Sequence, residues 1–303
     1  MAYKREQIIP FPRRHRAAIS ILLSLAPALL LVALLFGASV IYGISQSLGY
    51  LPLIDQEELS LDAYRNLLIG PSVAASEFWP SLVFSLWVSL ASTFLAAAGA
   101  LLVVFLLPGR QVGPVSRFTL HLNLAFPHLV WAIGISLLLA QSGLLARLAA
   151  MAGWISQPAD FPVLIRDRYG LGIMLAYVSK GLPFLTLIVL AILRSQPQEY
   201  DLVAQNLGAS RWQRLRYVTF PLVLPGLVAG SLLLFAFVFG AYEVPAILGV
   251  RFPRMLAVLA LDFFLNPDLR SRAEGMAMSV IMAVLVLLVA GIARALSRRY
   301  DMP

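Results

Sequence analysis

Residues 78–107 read FWPSLVFSLWVSLASTFLAAAGALLVVFLL and contain no charged side chain. A membrane helix needs about 20 predominantly apolar residues to cross roughly 30 Å of hydrocarbon, so this stretch is long enough to span a bilayer. Five further apolar runs of similar length occur at 17–45, 118–140, 171–193, 222–250 and 273–293. The sequence therefore predicts an all-α integral membrane protein with six transmembrane helices.

The composition of the whole chain supports this reading. Hydrophobic residues make up 60% of the 303 residues and charged residues only 13%, a balance that a water-soluble domain of this size cannot hide in its core. The net charge of +8 resides in short clusters at the ends of apolar runs, which argues against nucleic acid as a partner and for membrane lipid as the surroundings. The chain contains no cysteine, so disulfides, thiolate metal sites and cysteine nucleophiles are excluded.

The basic residues also predict the orientation in the membrane, because loops rich in Lys and Arg stay in the cytoplasm. With the N-terminus inside, the cytoplasmic segments hold fourteen Lys and Arg residues and the outer loops eight. Both termini then lie in the cytoplasm, which six spans allow. The first run is about twice as long as the apolar core of a secretory signal, so we predict a retained anchor. We divide the chain into 1–76, with the first span and an outer loop, and 77–303, with the other five spans.

Between the fourth and fifth runs, residues 195–208 read SQPQEYDLVAQNLG and predict a short amphipathic helix on the cytoplasmic side. Glu199 and Asp201 would lie near the positive end of its dipole. One stripe collects the apolar residues at helical spacing, which are Tyr200, Val203, Ala204 and Leu207. A helix this short cannot span the membrane, so its stripe must face the membrane domain or another protein.

The residues after this helix predict a tight turn and a second helix. Gly208 stands where a left-handed residue usually ends a helix, and Ser210 with Gln213 fits a capping box that starts the next one. Ala204 and Gly208 are small and four residues apart, so they would leave an indentation for another backbone. Arg211 adds positive charge beside it.

The run from Ala204 to Pro221 resembles the cytoplasmic motif of binding-protein-dependent ABC importer permeases, which reads EAA, three residues, Gly, nine residues, Ile-x-Leu-Pro. Ala204 stands at the third motif position, Gly208 at the glycine, and residues 218–221, VTFP, at the end with the nine-residue spacing intact. Leu202 and Val203 depart from the motif's glutamate and first alanine. Asp201 or Glu199 is then the candidate to replace that glutamate.

The resemblance implies a coupling loop at 194–221, within a core permease domain at 77–303, that docks on a separate cytoplasmic ATP-binding subunit. The candidate docking residues are Glu199, Asp201, Ala204, Gly208 and Arg211. It also implies a bacterial inner-membrane location, a periplasmic solute-binding protein and a second permease subunit, with two different permease chains favoured over two identical ones. Because the sequence has no Gly-rich phosphate loop, we predict that this chain is not an enzyme and holds no cofactor.

A second resemblance concerns the solute. Residues 239–249, FGAYEVPAILG, with RFPRML at 251–256, resemble permeases assigned to polyamine, thiamine, ferric-ion or phosphonate uptake. Lys180 and Glu243 each precede a proline within an apolar run, and such charges usually face a partner, a cavity or water. They either line a translocation path, with Glu243 attracting a cationic, polyamine-like solute, or form a mutual ion pair or a lysine that reaches the interface.

Two other classes of protein remain as alternatives. A secondary transporter driven by ion gradients would be indicated by several buried acids or an inverted repeat, and a lipid-modifying membrane enzyme by acids or histidines clustered at one membrane face. The sequence shows none of these features. No second ligand stands at helical spacing to His15, His121 or His128, so no metal site is predicted.

Overall fold

A computed structural model describes residues 14–106, 113–195 and 199–297, and within these ranges the regular structure is helical and contains no β-strand. Six helical segments there are long and apolar enough to cross a membrane, which confirms the predicted fold class. These segments are Leu23–Ser47, Val73–Leu106, His128–Met151, Leu171–Ser195, Arg211–Gly240 and Ser271–Ala295.

Thirteen α-helices follow one another along the described ranges. They are α1 Arg14–Ser47, α2 Asp62–Leu68, α3 Val73–Leu106, α4 Pro114–Ala125, α5 His128–Leu139, α6 Leu144–Met151, α7 Leu171–Ser195, α8 Glu199–Asn206, α9 Arg211–Arg214, α10 Phe220–Gly240, α11 Glu243–Leu248, α12 Leu256–Phe264 and α13 Ser271–Ser297. A π-helical turn, Leu215–Thr219, joins α9 to α10.

The third predicted span, 118–140, is not one helix. Helix α4 ends at Ala125 and α5 begins at His128, while Phe126 and Pro127 are extended with ψ of 135° and 145°. The physical reason is Pro127, which lacks an N–H and whose ring would clash with the carbonyl of Asn123 in a continuous helix. The prediction of an unbroken span was therefore wrong at this point.

The fifth predicted span, 222–250, is also interrupted at a proline. Helix α10 ends at Gly240, Ala241 is extended with ψ of 137°, and Glu243 starts the separate helix α11. In a continuous helix the ring of Pro245 would meet the carbonyl of Ala241, whereas Pro245 is tolerated in the first turn of a new helix. Glu243 therefore stands at a helix start rather than inside a span.

The main core lies between α3, α7 and α10. Small side chains let these helices approach closely: a Cβ added at Gly181 of α7 would lie 2.6 Å from Leu234 of α10 and 3.1 Å from Ala96 of α3. A second core joins α2, α12, α13 and the start of α3 around Phe78 and Met278. Helix α1 packs on α13 at the outside of the bundle. The division of the chain at residue 76 stays a prediction.

Candidate functional site

The predicted turn at Gly208 is present. The Gly208 N–H donates to the carbonyl of Gln205 at 2.9 Å, and the Ala209 N–H donates to that of Ala204 at 3.0 Å. This pair of hydrogen bonds is the Schellman pattern, and Gly208 has the positive φ of +80° that the pattern requires. A Cβ at Gly208 would meet no atom within 4 Å, so glycine is needed for its backbone conformation rather than for space.

The second helix of this segment starts as predicted from the sequence. The Gln213 N–H donates to Ser210 Oγ at 3.3 Å, and the Ser210 N–H donates to Gln213 Oε1 at 2.8 Å, which completes the capping box. The chain then continues through the π-helical turn into α10. Trp212 packs edge-on against Phe105 at the end of α3, with 6.2 Å between ring centroids. That contact fixes the segment to the core helices.

Much of this segment's apolar surface is not covered by the rest of the chain. Val203 is 55% exposed and Leu207 82% exposed, and Trp212 and Tyr217 also remain largely exposed. We call the exposed side chains of residues 202–217 the docking surface, after the role predicted for this segment from the sequence. Arg211 lies exposed within it. Glu199 and Asp201 belong to the first turn of α8, and their side chains lie outside the described part of the structure.

The predicted indentation is also present, as a groove of 340 Å³ on the docking surface. Its lining combines small, apolar and polar residues, namely Ala204, Leu207, Gly208, Ala209, Gln213, Arg214, Tyr217 and Val218. The groove lies over the Schellman turn, so its shape depends on the backbone at Gly208. An exposed apolar helix beside a small-residue groove is suited to contact with another protein.

Lys180 lies at the break between α4 and α5. Its side chain is 4% exposed, and its Nζ donates to the carbonyls of Asn123 at 2.9 Å and Phe126 at 2.5 Å. The same Nζ lies 5.8 Å from the ring centroid of Trp131, whose Nε1 donates to Ser179 Oγ at 2.8 Å. The ammonium group is thus enclosed by protein and pairs with backbone carbonyls in this structure.

Glu243 lies near the same break but is exposed. Its helix, α11, packs against α5, which starts at His128, and against α7, which carries Tyr177. No ion pair joins Lys180 to Glu243 in the part of the chain that the structure describes. We call Lys180 and Tyr177 of α7, His128 of α5 and Glu243 of α11 the polar cluster, because their three helices pack against one another beside the break.

Some members of this polar cluster were missed from the sequence. Tyr177 is 1% exposed and its hydroxyl has no hydrogen-bond partner among the described residues. His128 packs against Phe237 with 4.7 Å between ring centroids. The signal that could have found the cluster is Pro127, in the middle of an apolar run with Asn123 four residues before it. Within the described ranges no group of three His, Asp or Glu side chains could hold a metal.

Two further polar features lie on the side of the protein predicted to be outside. Arg254 bridges Glu77 of α3, at 2.7 Å, and Asp262 of α12. A cleft of 850 Å³ lies beside α2 and the start of α13. Acidic residues dominate the charges in its lining, which are Asp55, Glu57, Glu58, Asp62, Asp268 and Glu274 against Arg270.

Comparison with known proteins gives a consistent picture. Residues 16–302 match the family described as "Binding-protein-dependent transport system inner membrane component". The chain is 31% identical over 229 residues to the inner membrane ABC transporter permease protein YnjC of Escherichia coli, which covers 72% of this chain and 43% of YnjC. It is 30% identical over 160 residues to the thiamine transport system permease protein ThiP of Brucella abortus, covering 50% of this chain and 27% of ThiP. This chain therefore spans less than half the length of either relative.

Solved structures agree at the level of the fold. A chain of a bacterial ABC transporter involved in the import of the acidic polysaccharide alginate superposes with a TM-score of 0.76 at 15% identity. The match covers 96% of this chain and 100% of that one. At this identity the likeness concerns the arrangement of helices alone.

Proposed function

The chain belongs to the family of binding-protein-dependent transport system inner membrane components, and from that premise we propose that it is the permease subunit of an ATP-driven importer. It is a multi-pass inner-membrane protein with an ABC permease fold. In this function it moves a small solute, delivered by a periplasmic binding protein, into the cytoplasm. A separate subunit hydrolyses the ATP.

The docking surface is the observation that carries this proposal. Val203 and Leu207 expose most of their side chains on a helix too short to span the membrane, beside a groove shaped by a glycine turn. Full burial of an aliphatic side chain of this size contributes about 1.5–3 kcal/mol, so contact with a partner would favour association. An ATP-binding subunit on the cytoplasmic side is the partner that the family implies.

The docking residues divide into three roles in this proposal. Glu199 and Asp201, in the first turn of α8, present negative charge to the partner. Ala204 and Gly208 form the floor of the groove that receives a partner side chain, and Arg211 contributes a positive charge at its side. Leu202 is 53% exposed at the position of the motif's glutamate. The partner of this chain therefore meets an apolar side chain where the motif has a carboxylate.

We propose further that Glu243 faces the translocation path and that the solute is cationic, with a polyamine-like ion favoured. Glu243 is exposed at the start of α11, three residues beyond the end of the fifth span, and a carboxylate beside the membrane is costly unless it faces water, a cavity or a partner. The acid-lined cleft on the predicted outer side is negatively charged like Glu243, and both would attract a cation. Lys180 stands beside this path at the break of the third span.

The remaining partners and the topology complete the proposal. A second permease chain would pair with this one across the path, where the single chain leaves Glu243 exposed. The resemblance to importer permeases favours a different chain over an identical one. The excess of basic residues in the segments predicted to be inside supports cytoplasmic termini and an acid-lined cleft that opens toward the binding protein.

The test is to purify the tagged chain from its native membranes, identify the proteins that accompany it and reconstitute the complex in lipid. We expect an ATP-binding subunit in the complex, and ATP hydrolysis that rises when a cognate solute is added with its binding protein. A chain that purifies without an ATPase and moves solute along an ion gradient would instead be a secondary transporter.

A further inference from the structure

The break between α4 and α5 leaves a carbonyl without its usual donor. In a helix the carbonyl of Asn123 accepts from the N–H four residues later, and that residue is Pro127, which has none. A part-buried carbonyl without a donor costs free energy unless water or another donor pairs with it. A donor from elsewhere in the protein would therefore stabilise the end of α4 at Asn123.

Lys180 is that donor. Its Nζ lies 2.9 Å from the carbonyl oxygen of Asn123 and 2.5 Å from that of Phe126, the residue that follows the end of α4. An ammonium group at the C-terminal end of a helix also meets the negative end of the helix dipole. The side chain is 4% exposed and α7, which carries it, belongs to the main core, so its position is set by packing.

We propose that Lys180 is the positioning residue of this break: it replaces the hydrogen-bond donor that Pro127 lacks and thereby fixes where α5 begins. Helix α5 starts at His128, and α11, which carries Glu243, packs against it. Lys180 therefore acts on the polar cluster through the backbone and does not use its charge to hold a solute. The inference rests on contacts within the chain, so it is independent of the proposed function.

The test is a double-mutant cycle between Lys180 and Pro127, read by amide hydrogen exchange on the protein in lipid, in the complex in which it purifies. Lys180→Met removes the donors and keeps the length of the side chain. Because hydrogen bonds from charged groups are among the stronger ones, we expect exchange in residues 118–135 to rise about tenfold or more. Exchange in α13, which lies elsewhere in the bundle, should not change.

The second substitution makes the experiment specific. Pro127→Ala restores an N–H that can pair with Asn123, so the effect of Lys180→Met should shrink to about threefold or less in the Pro127→Ala background. Lys180→Arg keeps the donors and should stay close to the parent chain. If Lys180→Met alone does not accumulate in the membrane, recovery of accumulation on adding Pro127→Ala gives the same support.

Three results would overturn the proposal. The first is an equal rise in exchange on Lys180→Met in the parent chain and in the Pro127→Ala background. In that case the lysine would not be replacing the N–H that Pro127 lacks. A second is unchanged exchange near the break together with weaker solute binding, which would make Lys180 a solute ligand. The third is failure of both the single and the double variant to accumulate.

Discussion

Two substitutions of Gly208 distinguish the effect of strain in the turn from the effect of filling the groove on the docking surface. At φ of +80° any side chain with a Cβ is strained by about 1–2 kcal/mol, and Gly208→Ala adds only that strain because its Cβ meets nothing within 4 Å. If the turn must keep this conformation to dock, the ATP-binding subunit should bind about 5- to 30-fold more weakly. Gly208→Asp should bind more weakly still, because it places a carboxylate in the groove, although Asp tolerates a left-handed backbone better than Ala.

Gly153 provides the matched control. It ends α6 in the same Schellman pattern, with the Gly153 N–H donating to Ala150 at 3.0 Å and the Trp154 N–H to Ala149 at 2.9 Å. Its φ is +74° and its Cβ would also meet nothing within 4 Å. Substitutions at Gly153 therefore introduce the same strain on a surface that we predict to be outside.

The assay is co-purification of the ATP-binding subunit at matched membrane expression, beside transport in whole cells. At position 208 we expect the order glycine, alanine, aspartate from strongest to weakest docking. At position 153 both variants should retain normal docking, and aspartate should disturb stability less than alanine. Normal docking and transport with Gly208→Asp, or equal losses at the two positions, would refute the assignment of the docking surface.

Three further predictions concern the membrane segments. Reporter fusions should give a cytoplasmic signal at Gly109 and Gln205 and an outer signal at Gln56, Ala159 and Pro267, and an outer signal at Gln205 would be incompatible with docking there. Glu243→Gln should lower solute-stimulated transport and leave assembly intact, whereas unchanged transport of every candidate solute would show that the carboxylate does not face the path. Arg254→Ala removes the ion pairs that join α3 to α12 and should lower the thermal midpoint of the complex by a few degrees. The effect is small because a partly exposed ion pair contributes about 1 kcal/mol or less. An unchanged midpoint would show that these ion pairs do not stabilise the fold.

The six spans could be predicted from hydropathy because the bilayer imposes one length and one composition on every helix that crosses it. The turn at Gly208 and the capping box at Ser210 could be predicted because both are local, with partners within five residues. Both features were found where they were predicted, so short-range hydrogen bonds can be predicted from a sequence without knowledge of the fold.

The breaks in the third and fifth spans could not be read from hydropathy, which does not register a missing N–H at Pro127 or Pro245. Proline in a membrane helix is sometimes tolerated with only a kink, so its presence alone does not decide the matter. The role of Lys180 was hidden for a different reason. Its partners lie 57 and 54 residues away along the chain, and only the packing of α7 against α4 brings them together.

Helix α3 is long enough to carry a contact with the docking surface near one end and an ion pair with Arg254 near the other. It runs from Val73 to Leu106, with Glu77 in the bridge to Arg254 near one end and Phe105 against Trp212 near the other. Phe105 lies 28 positions after Glu77, which corresponds to about 42 Å of helix. A tilt of about 10° around the midpoint would displace each end by about 3–4 Å, which exceeds the reach of a hydrogen bond. If a partner at Trp212 tilted α3 as a rigid rod by this amount while Arg254 stayed in place, the ion pair between Glu77 and Arg254 would break.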